Sequence, residues 1–245
     1  MRANGYVIHT RPFQDNKVLV DLLTEEQGLM RGVWRLPKKE ARVLPGPFLR
    51  YELDYVGRSD LKTIKSLESL SAPSSLDGLS LYAALYVHEL LEKLLPTNLP
   101  LPDVYALYQW LIESLHAGAP IAPLLRRFEV GLFADLGSSI SMGVTGRGEP
   151  LDAKQMYQFH GQFGLRPYHG EILKQAPILF VEGQVALQYH AGAWRDKQVL
   201  SLAKVLHRHW LDGLLNGKPV VSRELLPATS FNGELHLGVP VFRAQ

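Results

Sequence analysis

From Arg31 to Pro47 the chain reads RGVWRLPKKEARVLPGP, in which Arg31, Arg35, Lys38, Lys39 and Arg42 face a single acid, Glu40, and Trp34 sits among them. Cations at this density can track a phosphate backbone, and an indole offers a flat face on which a base can stack. The same run would also be stable as a solvated surface loop, and composition does not choose between the two. Elsewhere the residues of catalysis are thin. The sequence holds no glycine-rich phosphate loop, nucleophile elbow or HExxH pattern, and Gly143, Gly146 and Gly148 lie in a turn region without a clear strand before them. The 9 histidines are scattered. His207 and His209 fall on different faces of a helix and make a poor metal pair, while His160, His169 and His190 can meet only through folding. Glu129 falls inside an apolar helical stripe, where a buried carboxylate needs a partner, so a structural ion pair or hydrogen bond is expected there rather than catalysis.

The elements that must position these residues follow from periodicity. Residues 1–72 read as five short strands, which suits a small barrel; the OB-fold is the common five-stranded solution, with an SH3-like barrel as the other. The clearest strand is Phe48–Val56, where Leu49, Tyr51, Leu53 and Tyr55 alternate with Arg50, Glu52 and Asp54. SAPSSLDG, Ser71–Gly78, marks a boundary. LSLYAALYVHELLEKLL, Leu79–Leu95, is apolar round most of its circumference and predicts a core helix, with narrow polar seams at His88–Glu92 and Glu89–Lys93. Asp103 is placed to cap a second helix through His116. A third helix, Leu124–Leu136, buries Leu125, Phe128, Leu132 and Leu136 and ends at Gly137. Residues 138–195 read as a small insertion with strand-like pieces at Ile178–Glu182 and Gln184–His190, and Asp196–Leu215 is again helical. The expected organisation is α+β: a barrel over 1–72, a helical bundle from 79–137 and 196–227, and an insertion over 138–195.

Composition bounds the function. With 26 basic and 24 acidic residues, overall charge does not announce nucleic acid, so only local clustering can. The absence of cysteine excludes disulfides and thiolate metal sites and is compatible with a reducing compartment. The opening MRANGYVIHTRPF lacks the apolar run of a signal peptide, and His88, Glu89, Glu92 and Lys93 argue against a membrane span, so a cytoplasmic protein is expected.

Several stretches in order resemble the bacterial RecO recombination-mediator family. They are YVIHTRPFQDNKVLVDLLTEEQG near the start, LYAALYVHELLEKLL, LLRRFEVGLFADLG, GRGEPLD and GKPVVSREL. The resemblance implies an N-terminal OB-fold, a helical bundle and a small inserted zinc-ribbon-like region. It also implies DNA binding on single and double strands, strand annealing and, with RecR, loading of RecA onto strands coated by single-stranded-DNA-binding protein. Some relatives carry four cysteines in the insertion and bind zinc; with none here, neither zinc nor another cofactor is expected. The residues from Ala228 onward are less basic than in the family, which weakens a tail role in DNA binding.

The family is further implied to bind the acidic, Phe-ended tail of the single-stranded-DNA-binding protein through its helical part. Such a tail needs an apolar pocket and cations. Arg126, Val130 and Phe133 lie on one flank of the third helix, and Lys204 and Arg208 share a face of the last. The competing expectation is that Arg126 only pairs with an acid on a neighbouring helix, Glu89 being the obvious candidate. The reading is thus a non-enzymatic mediator. Its rivals are an OB-fold RNA-binding protein of translation or RNA processing, and a hydrolase using Glu129 or Glu89, for which no positioned nucleophile is visible.

Overall fold

The structure, a computed structural model, describes residues 1–14, 16–36, 44–70, 75–171 and 179–225. Lys38, Lys39, Arg42 and the segment from Ala228 onward lie outside these described residues. The chain forms two compact units, one from Met1–Ile121 with the short segment beginning at Val220, the other from Ala122–Pro219.

In the first unit, strands β1 (Arg2–Gln14), β2 (Lys17–Thr24), β3 (Gly28–Arg35), β4 (Arg50–Val56) and β5 (Leu61–Ser69) close a barrel in the order β1-β2-β3-β5-β4. Neighbours are antiparallel except β3 and β5, which run parallel. That connectivity is the OB-fold. Alternation works as the sequence predicts: Tyr51, Leu53 and Tyr55 of β4 turn inward, joining Val7, Val18, Val20, Leu22, Met30 and Ile64 in the barrel core. The β2–β3 turn requires Gly28, whose φ is +64° and whose added Cβ would lie 1.8 Å from the Leu99 carbonyl oxygen.

Helices α1 (Gly78–Leu94) and α2 (Pro102–His116) complete this unit with a short 3₁₀ turn, Val221–Leu225. α1 is buried on several sides, as an all-round apolar pattern demands, but His88 is in the core rather than on a polar seam. Glu89 ties the 3₁₀ turn to α1. It accepts from the backbone N–H groups of Val221 and Ser222 and from the Ser222 hydroxyl, and pairs with Lys93. Burial alone would raise its pKa, but these donors outweigh burial and hold it at about 2. Asp103 does not cap α2: Leu101 is the N-cap residue, Pro102 opens the helix, and Asp103 lies in the first turn, where its charge still suits the helix dipole.

The second unit carries α3 (Ile121–Asp135), a sheet of β6 (Met156–His160), β7 (Gly164–Pro167) and β8 (Leu179–Glu182) in the order β7-β6-β8, then α4 (Gly183–His190) and α5 (Lys197–Leu214). The expected strand at Gln184–His190 is α4 instead. Val185, Ala186 and Tyr189 are buried together, and that spacing is a helix face rather than an alternation. Tyr157, Phe159, Leu165 and Val181 of the sheet pack with Ala186, Val199 and Leu206 of the helices. α3 ends in a left-handed Gly137, φ +66°, as expected of a C-terminal glycine. Among the described residues no helix is long and apolar enough to cross a membrane.

Candidate nucleic-acid interface

The register of β1, β2 and β3 sorts the outward-facing side chains of the barrel into rows. The first row, Tyr6–Leu23–Leu29, is buried, and Tyr6 meets Tyr105 and Tyr108 of α2 with ring centroids 5.8 and 5.0 Å apart. The second is His9–Asp21–Arg31. Asp21 is buried and accepts two hydrogen bonds from Arg31, at 2.5 and 3.0 Å. The third is Arg11–Leu19–Val33, all partly exposed. The fourth, Gln14–Lys17–Arg35, is open to solvent. One face therefore grades from a helix-covered apolar end to an exposed cationic end. Lys17 and Arg35 are direct cross-strand neighbours, an arrangement of like charges that costs stability unless an anion lies between them. Phe13 stands beside them at the register shift of the hairpin tip, with 44% of its surface exposed.

The expected residues divide accordingly. Arg31 lies within β3 and is bound to Asp21; Arg35 is in the exposed row; Trp34 faces the other way, half-buried on the barrel core. The first five residues of the Arg31–Pro47 stretch belong to β3, in line with a strand expected over Leu29–Leu36. Arg11, Phe13 and Lys17 were missed, because VLVDLL in β2 is apolar on both faces and hides which side is open. His9, Asp21 and Glu92 bring possible ligand atoms within 4.8 Å of one another, but Arg31 occupies Asp21 and its charge opposes a cation there.

In the second unit, Arg126, Lys204 and Arg208 do come together: Lys204 has its pKa lowered by partial burial, then by the charges of Arg126 and Arg208. Val130 is partly buried against the core. Phe133 is 1% exposed, edge-on to His207, and cannot receive a partner's side chain. The exposed apolar neighbour of these cations is Val205 on α5. Arg126 pairs at 2.8 Å with Glu129 of its own helix.

Glu129 is fully buried, as its position in the stripe predicts, and also accepts from His207 Nδ1 at 2.6 Å; the Tyr189 hydroxyl donates to His207 Nε2 at 2.7 Å. Burial holds His207 neutral despite the carboxylate, which Arg126 already neutralises. A Tyr–His–Glu chain has the parts of an activated nucleophile, but with Glu129 and His207 at 0% exposure no substrate reaches it.

Comparison with known proteins gives these sites their context. Residues 1–73 match the family model described as "Recombination protein O N terminal", and residues 75–167 match "Recombination protein O C terminal". The chain belongs to the RecO family. A protein named DNA repair protein RecO from Pseudomonas paraeruginosa is 38% identical over 220 residues, covering 90% of this chain and 92% of that protein. Namesakes from Stutzerimonas stutzeri and Pseudoalteromonas translucida are 36% and 33% identical, each covering 92% of this chain. The N-terminal match ends just before the helices, so the graded barrel face lies wholly within it, while the C-terminal match covers α1, α2, α3, β6 and β7.

Proposed function

We propose that this RecO-family chain is a non-enzymatic DNA repair and recombination mediator whose barrel holds single-stranded DNA along the open end of β1, β2 and β3. The observation that carries the reading is the exposed Lys17–Arg35 pair, flanked by Arg11 and Phe13. A phosphate relieves the repulsion of that pair, and the phenyl ring supplies a stacking surface. Lys38, Lys39 and Arg42 follow Arg35 in sequence and extend the same charge. Annealing of strands, action with RecR, and loading of RecA onto strands coated by single-stranded-DNA-binding protein are the family's implied roles, and are proposed for this chain on that basis.

The test is complementary-strand annealing and equilibrium binding over a range of salt. In Lys17→Ala/Arg35→Ala, the slope of log K against log salt should fall by about 1.4, two phosphate contacts at roughly 0.7 each on single strands. An unchanged slope means that the face is only solvated. RNA of the same sequence should bind more weakly than DNA; tighter binding would favour an RNA-binding role.

Docking of the acidic tail is proposed on the Lys204–Arg208 face of α5, with Val205 in place of Phe133 as the apolar contact. Arg208→Glu should slow association with strands coated by the tailed protein, and the loss should shrink as salt rises. Binding to naked strands should hold. Equal loss on coated and naked strands would move Arg208 into the DNA site.

A further inference from the structure

We infer that a cavity in the second unit takes one unpaired, amino-bearing nucleobase, giving the chain a second contact to a single strand; this rests on the single-strand reading above. The cavity, about 480 Å³, lies between the 145–149 turn and the outer side of β6 and β7, within the size range of small-ligand sites. Tyr157 and Phe159 of β6 go into the core, so alternation turns Gln158 to the opposite face, where a glutamine is normally solvated. Yet Gln158 is only 4% exposed, and its Oε1 has no hydrogen-bond partner among the described residues. An unsatisfied buried oxygen of this kind destabilises the fold, and either a ligand's donor or a turned amide facing the ligand removes that cost.

The wall beside Gln158 is flat. Arg166 is its direct cross-strand neighbour, and the Arg166 guanidinium lies 4.7 Å from the centroid of the Phe163 ring, which is 40% exposed. Aromatic rings and guanidinium planes are the surfaces on which unstacked bases lie. The turn can come this close only through Gly146, since a Cβ there would be 1.7 Å from the Phe163 carbonyl oxygen. The rim mixes Arg147 with Glu149. A carboxylate repels a phosphate but accepts from an exocyclic amine, and an amide pairs with a base edge. The chemistry therefore fits adenine, cytosine or guanine better than thymine, and a base better than a phosphate. Together with the barrel face, such a pocket gives one chain two contacts to a single strand.

Photocrosslinking with the full chain tests this, using oligo-dC carrying one 5-iododeoxycytidine and oligo-dT carrying one 5-iododeoxyuridine, with adducts mapped by mass spectrometry. The dC probe should attach to the peptide containing Phe163, and the adduct should persist in Lys17→Ala/Arg35→Ala at saturating strand. Phe163→Ala and the near-isosteric Gln158→Met should each abolish it. Each should also weaken oligo-dC about five-fold or more, the low end for one stacked base, and oligo-dT by less than two-fold. Absence of the adduct while the barrel variant still weakens binding overturns the pocket and leaves the barrel reading standing. Equal weakening on dC and dT overturns the base selection, and an adduct formed only with free nucleotide overturns the strand assignment. Intact binding in the barrel and pocket variants alike overturns both readings.

Discussion

Glu129→Ala should destabilise the second unit by about 3–5 kcal/mol, the cost of removing one member of a buried charged set. The carboxylate is fully buried between Arg126 and His207, which are themselves 6% and 0% exposed. Its loss leaves a guanidinium buried without its 2.8 Å partner and takes the acceptor from His207 Nδ1. Glu129→Gln keeps an acceptor but not the charge, so it should cost less. Arg126→Met/Glu129→Leu/Tyr189→Phe/His207→Phe removes the charges together with the hydroxyl that His207 receives, and should lie closer to wild type than Glu129→Ala does. The measurement is urea unfolding followed by hydrogen exchange in α3 and α5. A Glu129→Ala loss below about 1 kcal/mol would mean that the set is wetter than its burial indicates.

That set also marks how far a sequence can be read. Glu129 announced a need by sitting inside the stripe of Leu125, Phe128 and Leu132, because helical period alone puts it in the core. Its partners could not be read in the same way: Arg126 is one turn back, but His207 is 78 residues away and reaches it only through the packing of the second unit. The barrel was legible for the same reason as the stripe, since inward and outward residues of β4 alternate cleanly. The open face was not. Whether Lys17 meets Arg35 or slides past it depends on strand register, which the turn at Gly28 sets and composition does not record. Phe133 shows the opposite error: a flank position on a helical wheel looked open, but the edge-on ring of His207 lies against it. The insertion was hard to read because its strands are four or five residues long, too short for a period to declare itself.

From pH 7.5 down to 4.5, acid should weaken the first unit through His88. His88 lies in α1 with Nε2 accepting from the Tyr108 hydroxyl at 2.5 Å, while its other ring nitrogen bonds to the backbone of Ile8, the residue at the register shift of β1. Phe48 packs on the ring with centroids 4.5 Å apart. Burial pushes its pKa down from 6.5 to about 3; the Ile8 bond, next in size, opposes this, and the nearby His9 adds a smaller push downward. Between those two values the unfolded chain holds a proton that the folded chain refuses. The stability contribution is therefore complete above pH 6.5 and declines as pH falls toward 3, by about 1.4 kcal/mol per pH unit. His88→Gln keeps an acceptor for Tyr108 and cannot titrate, so it should lower stability at pH 7.5 but flatten the acid limb by about one proton. Urea midpoints from pH 7.5 to 4.5, followed by hydrogen exchange in the barrel and α1, measure that slope. Parallel slopes in wild type and variant would mean that His88 takes up its proton without unfolding the core.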